Sequence, residues 1–235
     1  STSGAITDFT GNDTTPDITA TTLTIADSTG IGVDADDALN LSVDNLTITT
    51  TSGDAYITEA NGIGLGTVNV VANELDIRAI TGNITDNTSA VTAGDLTLTA
   101  SATDAAIGAT GGDDINTTLS GTLTASAADG TGDIFISDTS TTLTLGSVDA
   151  DVSTGGDVNI VTTGALTTSS GLDILGDNVT LTLAADKLLT VDADTSITGE
   201  TSVTLVSDEM DLNSDGTNDT IKGGTTLTLR AVEDG

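Results

Sequence analysis

The residues best suited to chemistry lie in one acidic segment near the end of the chain, which runs Asp211-Leu212-Asn213-Ser214-Asp215-Gly216-Thr217-Asn218-Asp219. The pattern matches D-x-N-x-D-G, the start of a calcium-binding loop, in which side-chain oxygens bind the ion and Gly at position 6 makes the turn. Five side chains are therefore candidate calcium ligands: Asp211, Asn213, Asp215, Thr217 and Asp219. Lys222 occupies the place of the bidentate Glu that closes an EF-hand, so the segment is not an EF-hand. The alternative is an acidic turn that binds no ion.

Other carboxylates also cluster, and paired carboxylates can act as acid and base on glycosides. The clusters are Asp34, Asp36 and Asp37; Asp113 and Asp114; Asp149 and Asp151; and Asp186, Asp192 and Asp194. An enzyme acting on acidic polysaccharides would need basic residues as well, and the chain has no His and only four dispersed cations: Arg78, Lys187, Lys222 and Arg230. Exposed aromatic residues, which are typical of glycan sites, are also scarce. We therefore expect no enzymatic activity.

The charge balance excludes several classes of partner. The chain has 36 acidic residues against 4 basic ones, a formal net charge of −32. Nucleic-acid binding requires clustered Lys and Arg, and an anionic membrane surface would repel this chain. No stretch approaches the roughly 18 apolar residues of a membrane-spanning helix, so no membrane insertion is expected. Because 36% of the residues are hydrophobic and alternate with polar ones, half-buried strands are favoured over disorder.

One short phrase, apolar–Thr–apolar, returns along the whole chain and predicts the architecture. It occurs at Leu23-Thr24-Ile25, Leu46-Thr47-Ile48, Leu96-Thr97-Leu98, Leu143-Thr144-Leu145, Val179-Thr180-Leu181, Val203-Thr204-Leu205 and Leu227-Thr228-Leu229. Many neighbouring copies lie about 20–24 residues apart, the length of one solenoid coil. In each copy the two aliphatic residues point inward and Thr points outward, because side chains alternate along a strand.

The sequence therefore predicts an all-β parallel β-helix, with about 10–12 coils at ~4.8 Å each and a rod roughly 50 Å long. An antiparallel β-sandwich remains the alternative, since short strands at regular spacing also build sandwiches. Residues 1–20 have weaker periodicity and are expected to form an irregular arm or cap, with the repeat array over residues 21–235. The arm could add a strand to a neighbouring molecule; a ragged terminus is the simpler interpretation.

A longer internal echo supports the repeat. Residues 53–68 and 132–148 both open with Gly-Asp and both continue with an aromatic residue and Ile, as Tyr56-Ile57 and Phe135-Ile136. Their offset of about 80 residues corresponds to roughly four coils. Since Tyr56 and Phe135 occupy matching places, we expect a structural role for both.

This pattern resembles the β-helical shafts of filamentous-haemagglutinin-like adhesins and other bacterial β-strand-repeat surface proteins. The segments that carry the resemblance are Gly156-Asp157-Val158-Asn159-Ile160, Gly164-Ala165-Leu166-Thr167, residues 172–181, and Gly94-Asp95-Leu96-Thr97-Leu98-Thr99-Ala100. The resemblance implies a right-handed β-helix that is secreted or displayed on a cell surface as a stalk, adhesin or fibre component. The acidic segment at 211–219 is similar to the helix-free calcium loops of extracellular repeat proteins.

The sequence thus favours an extracellular structural protein, a subunit or segment of a cell-surface filament, stalk or layer. The open strand edges of a β-helix favour end-to-end self-association. The alternative is the shaft or ligand-binding module of a larger adhesin, with a cell-surface or glycan partner; a polysaccharide-active enzyme is third. Since the charge of −32 repels itself, we expect millimolar calcium to stabilise the fold more than matched monovalent salt does. The chain begins with Ser1, which suggests a processed product or a segment of something longer.

Overall fold

The computed structural model describes residues 4–8, 15–71, 73–87, 89–109, 113–151, 155–213 and 220–233. In these residues the chain is all β, with no helix. One sheet of 20 strands winds into a parallel β-solenoid of about nine turns. The β-helix predicted from the repeated phrase is therefore confirmed.

The strands are short because each spans one side of a coil. In chain order they are β1 Ile18–Ser28, β2 Leu39–Thr50, β3 Ala55–Glu59, β4 Ile63–Val70, β5 Leu75–Ala79, β6 Ile84–Asp86, β7 Val91–Ala93, β8 Leu96–Thr103, β9 Ile115–Leu119, β10 Thr122–Asp129, β11 Ile134–Asp138, β12 Thr142–Asp149, β13 Val158–Thr162, β14 Ala165–Thr168, β15 Asp173–Leu183, β16 Leu188–Val191, β17 Ser196–Val206, β18 Glu209–Leu212, β19 Thr220–Gly223 and β20 Thr226–Arg230.

Every pairing between these strands is parallel, so the antiparallel sandwich does not form. The register places like residues on like. In β1 and β2, for example, Leu23 lies beside Leu46, Thr24 beside Thr47, and Ile25 beside Ile48. Stacking of identical side chains on neighbouring coils explains why the apolar–Thr–apolar phrase recurs.

The core consists of aliphatic ladders that run along the rod axis. One ladder, which we call the isoleucine ladder, comprises Ile63, Ile84, Ile107, Ile134, Val158, Val179 and Val203 in consecutive coils. All seven side chains are buried, with at most 2% of their surface exposed. Branching at Cβ suits these side chains to the pleated strand, and burying each contributes about 1.5–3 kcal/mol.

The turn count is about nine and not the 10–12 expected from the repeat spacing, because the coils differ in length. Leu41 pairs with Glu59, 18 residues on, whereas Leu98 pairs with Ala125, 27 residues on. The longest coil carries a loop after Ile107 that projects from the sheet. The spacing of the repeated phrase does not reveal such insertions.

Part of the segment before residue 20 pairs with the solenoid. Strand β1 begins at Ile18. Farther upstream, the Ile6 amide donates to the Gly30 carbonyl at 3.0 Å, and the Gly32 amide donates to the Ile6 carbonyl at 2.9 Å. Ile6 therefore forms a parallel bridge with Ile31 and extends the stack beyond the first full coil.

Candidate functional site

The predicted calcium loop falls largely outside the described residues. Asp211 is exposed on β18, and Asn213 follows that strand with its amide donating to the Val191 carbonyl at 3.0 Å. Asp215, Thr217 and Asp219 lie outside the described part of the chain. Within that part, no group of three or more Asp and Glu side chains is placed to hold a metal ion. Calcium binding at this segment stays a prediction.

The acidic clusters lie at turns, where their carboxylates bond the local backbone. The Asp34 carboxylate accepts the amides of Asp36 and Asp37, both at 2.9 Å, and the Asp149 carboxylate accepts the amide of Asp151 at 2.9 Å. Asp104, Asp151, Asp186 and Asp194 adopt positive φ, a conformation that Asp tolerates better than most residues. These contacts favour a structural role in turns over paired catalytic carboxylates.

A second group of carboxylates links successive coils. The side chains of Asp54, Asp133 and Asp157 accept backbone amides from the following coil, those of Glu74 at 3.0 Å, Asp157 at 2.9 Å and Asn178 at 3.1 Å. Each bond satisfies an amide at the start of a strand, where the ladder has not yet begun. Part of the large negative charge therefore comes from residues that fasten one coil to the next.

The last coil, formed by β18, β19 and β20, exposes side chains that would be interior in any other coil. Leu227 pairs in register with Val203, and Leu229 with Leu205. Val203 and Leu205 are 0% exposed, whereas Leu227 is 47% and Leu229 is 49% exposed. Among the described residues, these three strands pair only with strands of the preceding coil. The rod thus ends in an apolar surface bordered by a free strand edge, which we call the terminal surface.

The charges are unevenly distributed along the rod. No Lys or Arg precedes Arg78 in the sequence, whereas Lys222 and Arg230 both lie on strands of the last coil. Arg230 is paired with Glu233, at 3.6 Å between Nη1 and Oε1. The coil at the carboxyl end therefore combines basic side chains with exposed leucines, and the amino-terminal coils are purely acidic.

The echo in the sequence corresponds to a repeated structural device. Gly32 and Gly108 have φ near +70° (68° and 73°), and an added Cβ would lie 2.7 and 2.3 Å from the carbonyl oxygens of Tyr56 and Phe135. Each glycine opens a small loop closed by one bond: the Val33 amide donates to Asp37 at 2.9 Å, and the Ala109 amide donates to Asp113 at 3.0 Å. In both places the chain leaves the sheet over an aromatic residue and then returns.

Each copy of the device ends in a fully buried carboxylate, and the sequence analysis did not single out either one. Glu59 and Asp138 are both 0% exposed. Glu59 accepts the amides of Val43 at 3.0 Å and Asn61 at 3.1 Å. Burial raises the pKa of Glu59 in spite of these donors, which act in the opposite direction. No signal in the sequence separates these two acids from the many exposed ones.

In the first copy the device forms a cleft of about 240 Å³ between the loop and the outer face of the sheet. Asp36, Tyr56, Asp76 and Arg78 contribute the charged and aromatic groups that line it. The Tyr56 hydroxyl donates to a Glu74 carboxylate oxygen at 2.9 Å, and the Arg78 Nε donates to the Ser101 hydroxyl at 3.1 Å. We call this the Tyr56 cleft.

The Tyr56 cleft shifts the ionisation of two of its groups. Burial, followed by the hydrogen bond to Glu74, raises the pKa of Tyr56 to about 12. Burial, reinforced by the Glu74 carboxylate and opposed by the Arg78 guanidinium, raises the pKa of Asp76 to about 6. At neutral pH the cleft therefore presents a partly desolvated carboxylate beside a guanidinium and a neutral phenol.

Asp76→Asn should stabilise the protein at neutral pH. A carboxyl whose pKa is higher in the folded state costs stability when ionised, and that stability returns as pH falls from about 7 towards 4. After allowance for partial exposure we expect a gain of about 1 kcal/mol at pH 7, or roughly 2–4 °C in melting temperature. Thermal melts of both proteins at pH 7 and pH 4 measure this difference, which should shrink at pH 4.

Asp173→Asn is the matched control, because it removes the same charge from an exposed position. If it stabilises the protein as much as Asp76→Asn does, relief of general repulsion accounts for the gain. A difference between Asp76→Asn and the parent that is the same at both pH values would contradict the raised pKa.

The comparisons with known proteins leave the site to be judged on its own geometry. The chain matches no protein-family model, no curated protein and no solved structure. In the described ranges, none of the secondary-structure elements is a helix that could cross a membrane.

Proposed function

We propose that this chain is a structural β-solenoid, a segment of an extracellular filament, stalk or surface layer that joins end to end with further copies. The observation that carries the proposal is the terminal surface, where Leu227 and Leu229 are about half exposed at register positions that are buried in the preceding coil. Another parallel strand placed on this edge would continue both the aliphatic ladders and the backbone hydrogen bonds. The extracellular setting rests on the resemblance to β-strand-repeat surface proteins. We propose no catalytic activity.

The charge distribution favours head-to-tail joining over joining of two like ends. A head-to-tail contact brings Lys222 and Arg230 of one copy towards the acidic first coils of the next, whose described carboxylates include Asp17. Two carboxyl-terminal ends in contact would instead place these cations against each other. Opposite charges across an interface orient the partners and suppress the wrong arrangement. A heterologous contact that does not close on itself produces an open filament.

The combined change Leu227→Lys and Leu229→Lys should abolish end-to-end joining. It places two charges on the terminal surface, where a second copy would have to desolvate them. We expect end-to-end assemblies of the parent chain in electron micrographs and single rods for the variant, with apparent affinity at least about tenfold weaker in sedimentation.

The matched control is Thr226→Lys with Thr228→Lys, which adds the same charge to the same strand on side chains that alternate with the leucines. This control should still assemble. Assembly that is equal in the two variants, or a parent chain that stays as single rods at high concentration with and without calcium, would reject end-to-end joining.

Calcium binding at Asp211, Asn213, Asp215, Thr217 and Asp219 is part of the proposal. The support is the D-x-N-x-D-G pattern and the need to offset a charge of −32. We expect the melting temperature to rise more with millimolar calcium than with sodium chloride of matched ionic strength, and Asp215→Asn to remove the difference. Equal melting temperatures in the two salts would contradict a specific calcium site.

The Tyr56 cleft favours a second candidate, the shaft of a larger adhesin that also binds a ligand. It is a concave site with an aromatic ring and groups of both charges, which a stalk does not require. Isolated rods that bind a small ligand but never join end to end would favour this candidate.

A further inference from the structure

The solenoid contains the same outer-face arrangement twice, which provides a comparison within one chain. In the first copy a column of outward residues on neighbouring strands runs Gly32, Tyr56, Asp76, Thr97; in the second it runs Gly108, Phe135, Asn159, Thr180. A second column beside it runs Thr58, Arg78, Thr99 in the first copy and Ser137, Val161, Thr182 in the second. Backbone geometry and register are therefore matched position by position.

The two copies differ at the positions that line the cleft. Where the second copy has Phe135, Asn159 and Val161, the first has Tyr56, Asp76 and Arg78. Phe135 is only 6% exposed, whereas Arg78 is exposed and Tyr56 and Asp76 are half-buried. Because the second copy builds the same device without charge, the fold does not require a carboxylate, a guanidinium and a phenol here. Half-burying a carboxylate costs stability, and groups kept at such a cost favour a binding role.

We propose that the Tyr56 cleft binds a small ligand through a primary ammonium group, held by the carboxylates of Asp36 and Asp76 against the Tyr56 ring, with an adjacent ligand oxygen bonded to Arg78. Amino sugars and amino-acid amides share this chemistry.

Each part of the ligand follows from a group in the cleft. The carboxylates of Asp36 and Asp76 attract a cation, and an aromatic face adds a favourable contact with it. Among the described residues, no carboxylate is close enough to the Arg78 guanidinium for an ion pair, and its Nε is already bonded to Ser101. Its remaining N–H groups can therefore donate to a ligand oxygen.

Size and overall charge narrow the choice further. A volume of about 240 Å³ is below the roughly 300–1,000 Å³ of sites for drug-sized molecules, which limits the ligand to about one sugar ring or one amino acid. An anionic ligand is disfavoured by the net charge of −32. Tyr56 is oriented by its bond to Glu74 at 2.9 Å, so the ring is preset before a ligand arrives.

The test is isothermal titration of the full chain, at moderate salt, with two pairs of probes. Glucosamine and N-acetylglucosamine share a ring and differ in the charged amine, and glycinamide and N-acetylglycinamide form the matching amino-acid pair. We expect the amine of at least one pair to bind at least tenfold more tightly than its acetylated form. The pair that binds more tightly identifies the source of the ammonium group. Equal binding of amine and acetylated forms in both pairs would overturn the proposal.

The decisive variant converts the first copy into the second: Tyr56→Phe, Asp76→Asn and Arg78→Val together. The net charge stays at −32, since one acidic and one basic residue are removed, so diffuse attraction of cations is unchanged. Amine binding should fall at least tenfold while the circular dichroism spectrum is retained. Unchanged binding would assign the signal to the general negative charge and reject the cleft. If the triple variant does not fold, Asp76→Asn alone should still weaken amine binding, and unchanged binding there has the same meaning.

Discussion

Ile134→Ala should destabilise the rod by about 2–5 kcal/mol, the range for truncating a fully buried aliphatic side chain. Ile134 is 0% exposed in the middle of the isoleucine ladder, between Ile107 and Val158 in the neighbouring coils. Because each coil contacts only its neighbours, a cavity there weakens the packing on both sides. Thermal melts should show a fall of roughly 5–15 °C.

Leu227→Ala provides the control, because Leu227 continues the same ladder in the last coil. It is 47% exposed, so its truncation should cost less than about 1.5 kcal/mol at protein concentrations where the rods are separate. If the two variants lose the same stability under those conditions, the terminal surface is covered in the isolated chain.

Asp138→Ala should cost about 3 kcal/mol or more, because it leaves several buried donors without an acceptor. The Asp138 carboxylate is 0% exposed and accepts the Thr117 hydroxyl at 2.9 Å and the Ser140 amide at 2.9 Å. The hydroxyls of Ser140 and Thr162 also donate to it. Urea unfolding should show a lower midpoint with little change in slope, since the folded state remains compact.

Asp138→Asn should be milder, since an amide keeps one acceptor and the hydroxyls can rotate to accept from its nitrogen. A double-mutant cycle with Thr117→Val isolates one bond of the network. Since the two side chains are in direct contact, we expect an interaction energy of at least about 0.5 kcal/mol. Strictly additive losses would mean that Thr117 and Asp138 act independently.

The strands and the ladders were predictable because they depend on local patterns. Alternation of aliphatic residues with Thr fixes which side chains point inward, and the repeated phrase indicates that like stacks on like. Leu46-Thr47-Ile48 beside Leu23-Thr24-Ile25 is the clearest confirmed case. The expected structural role of Phe135 agrees with its burial, whereas Tyr56 is half-buried and its ring lines an open cleft.

The Tyr56 cleft was not predictable, because its groups come from three separate segments of the chain. Asp36 lies on the projecting loop, Tyr56 on β3, and Asp76 and Arg78 on β5. They meet because two successive coils close with 20 residues between paired positions. A coil of different length would have shifted the register and placed other side chains beside Tyr56.

By itself, the sequence determined that this chain is a parallel stack of β-coils with an aliphatic interior and an acidic exterior, since residue type and spacing along each strand decide that outcome. Only the tertiary structure decided which acids are buried, which leucines are exposed and which polar groups converge. Glu59 and Asp138 have the same composition of neighbours in sequence as many exposed acids, and Leu227 repeats the phrase of buried Val203. The difference is the presence or absence of a neighbouring coil about 4.8 Å away, which depends on how the uneven coils close.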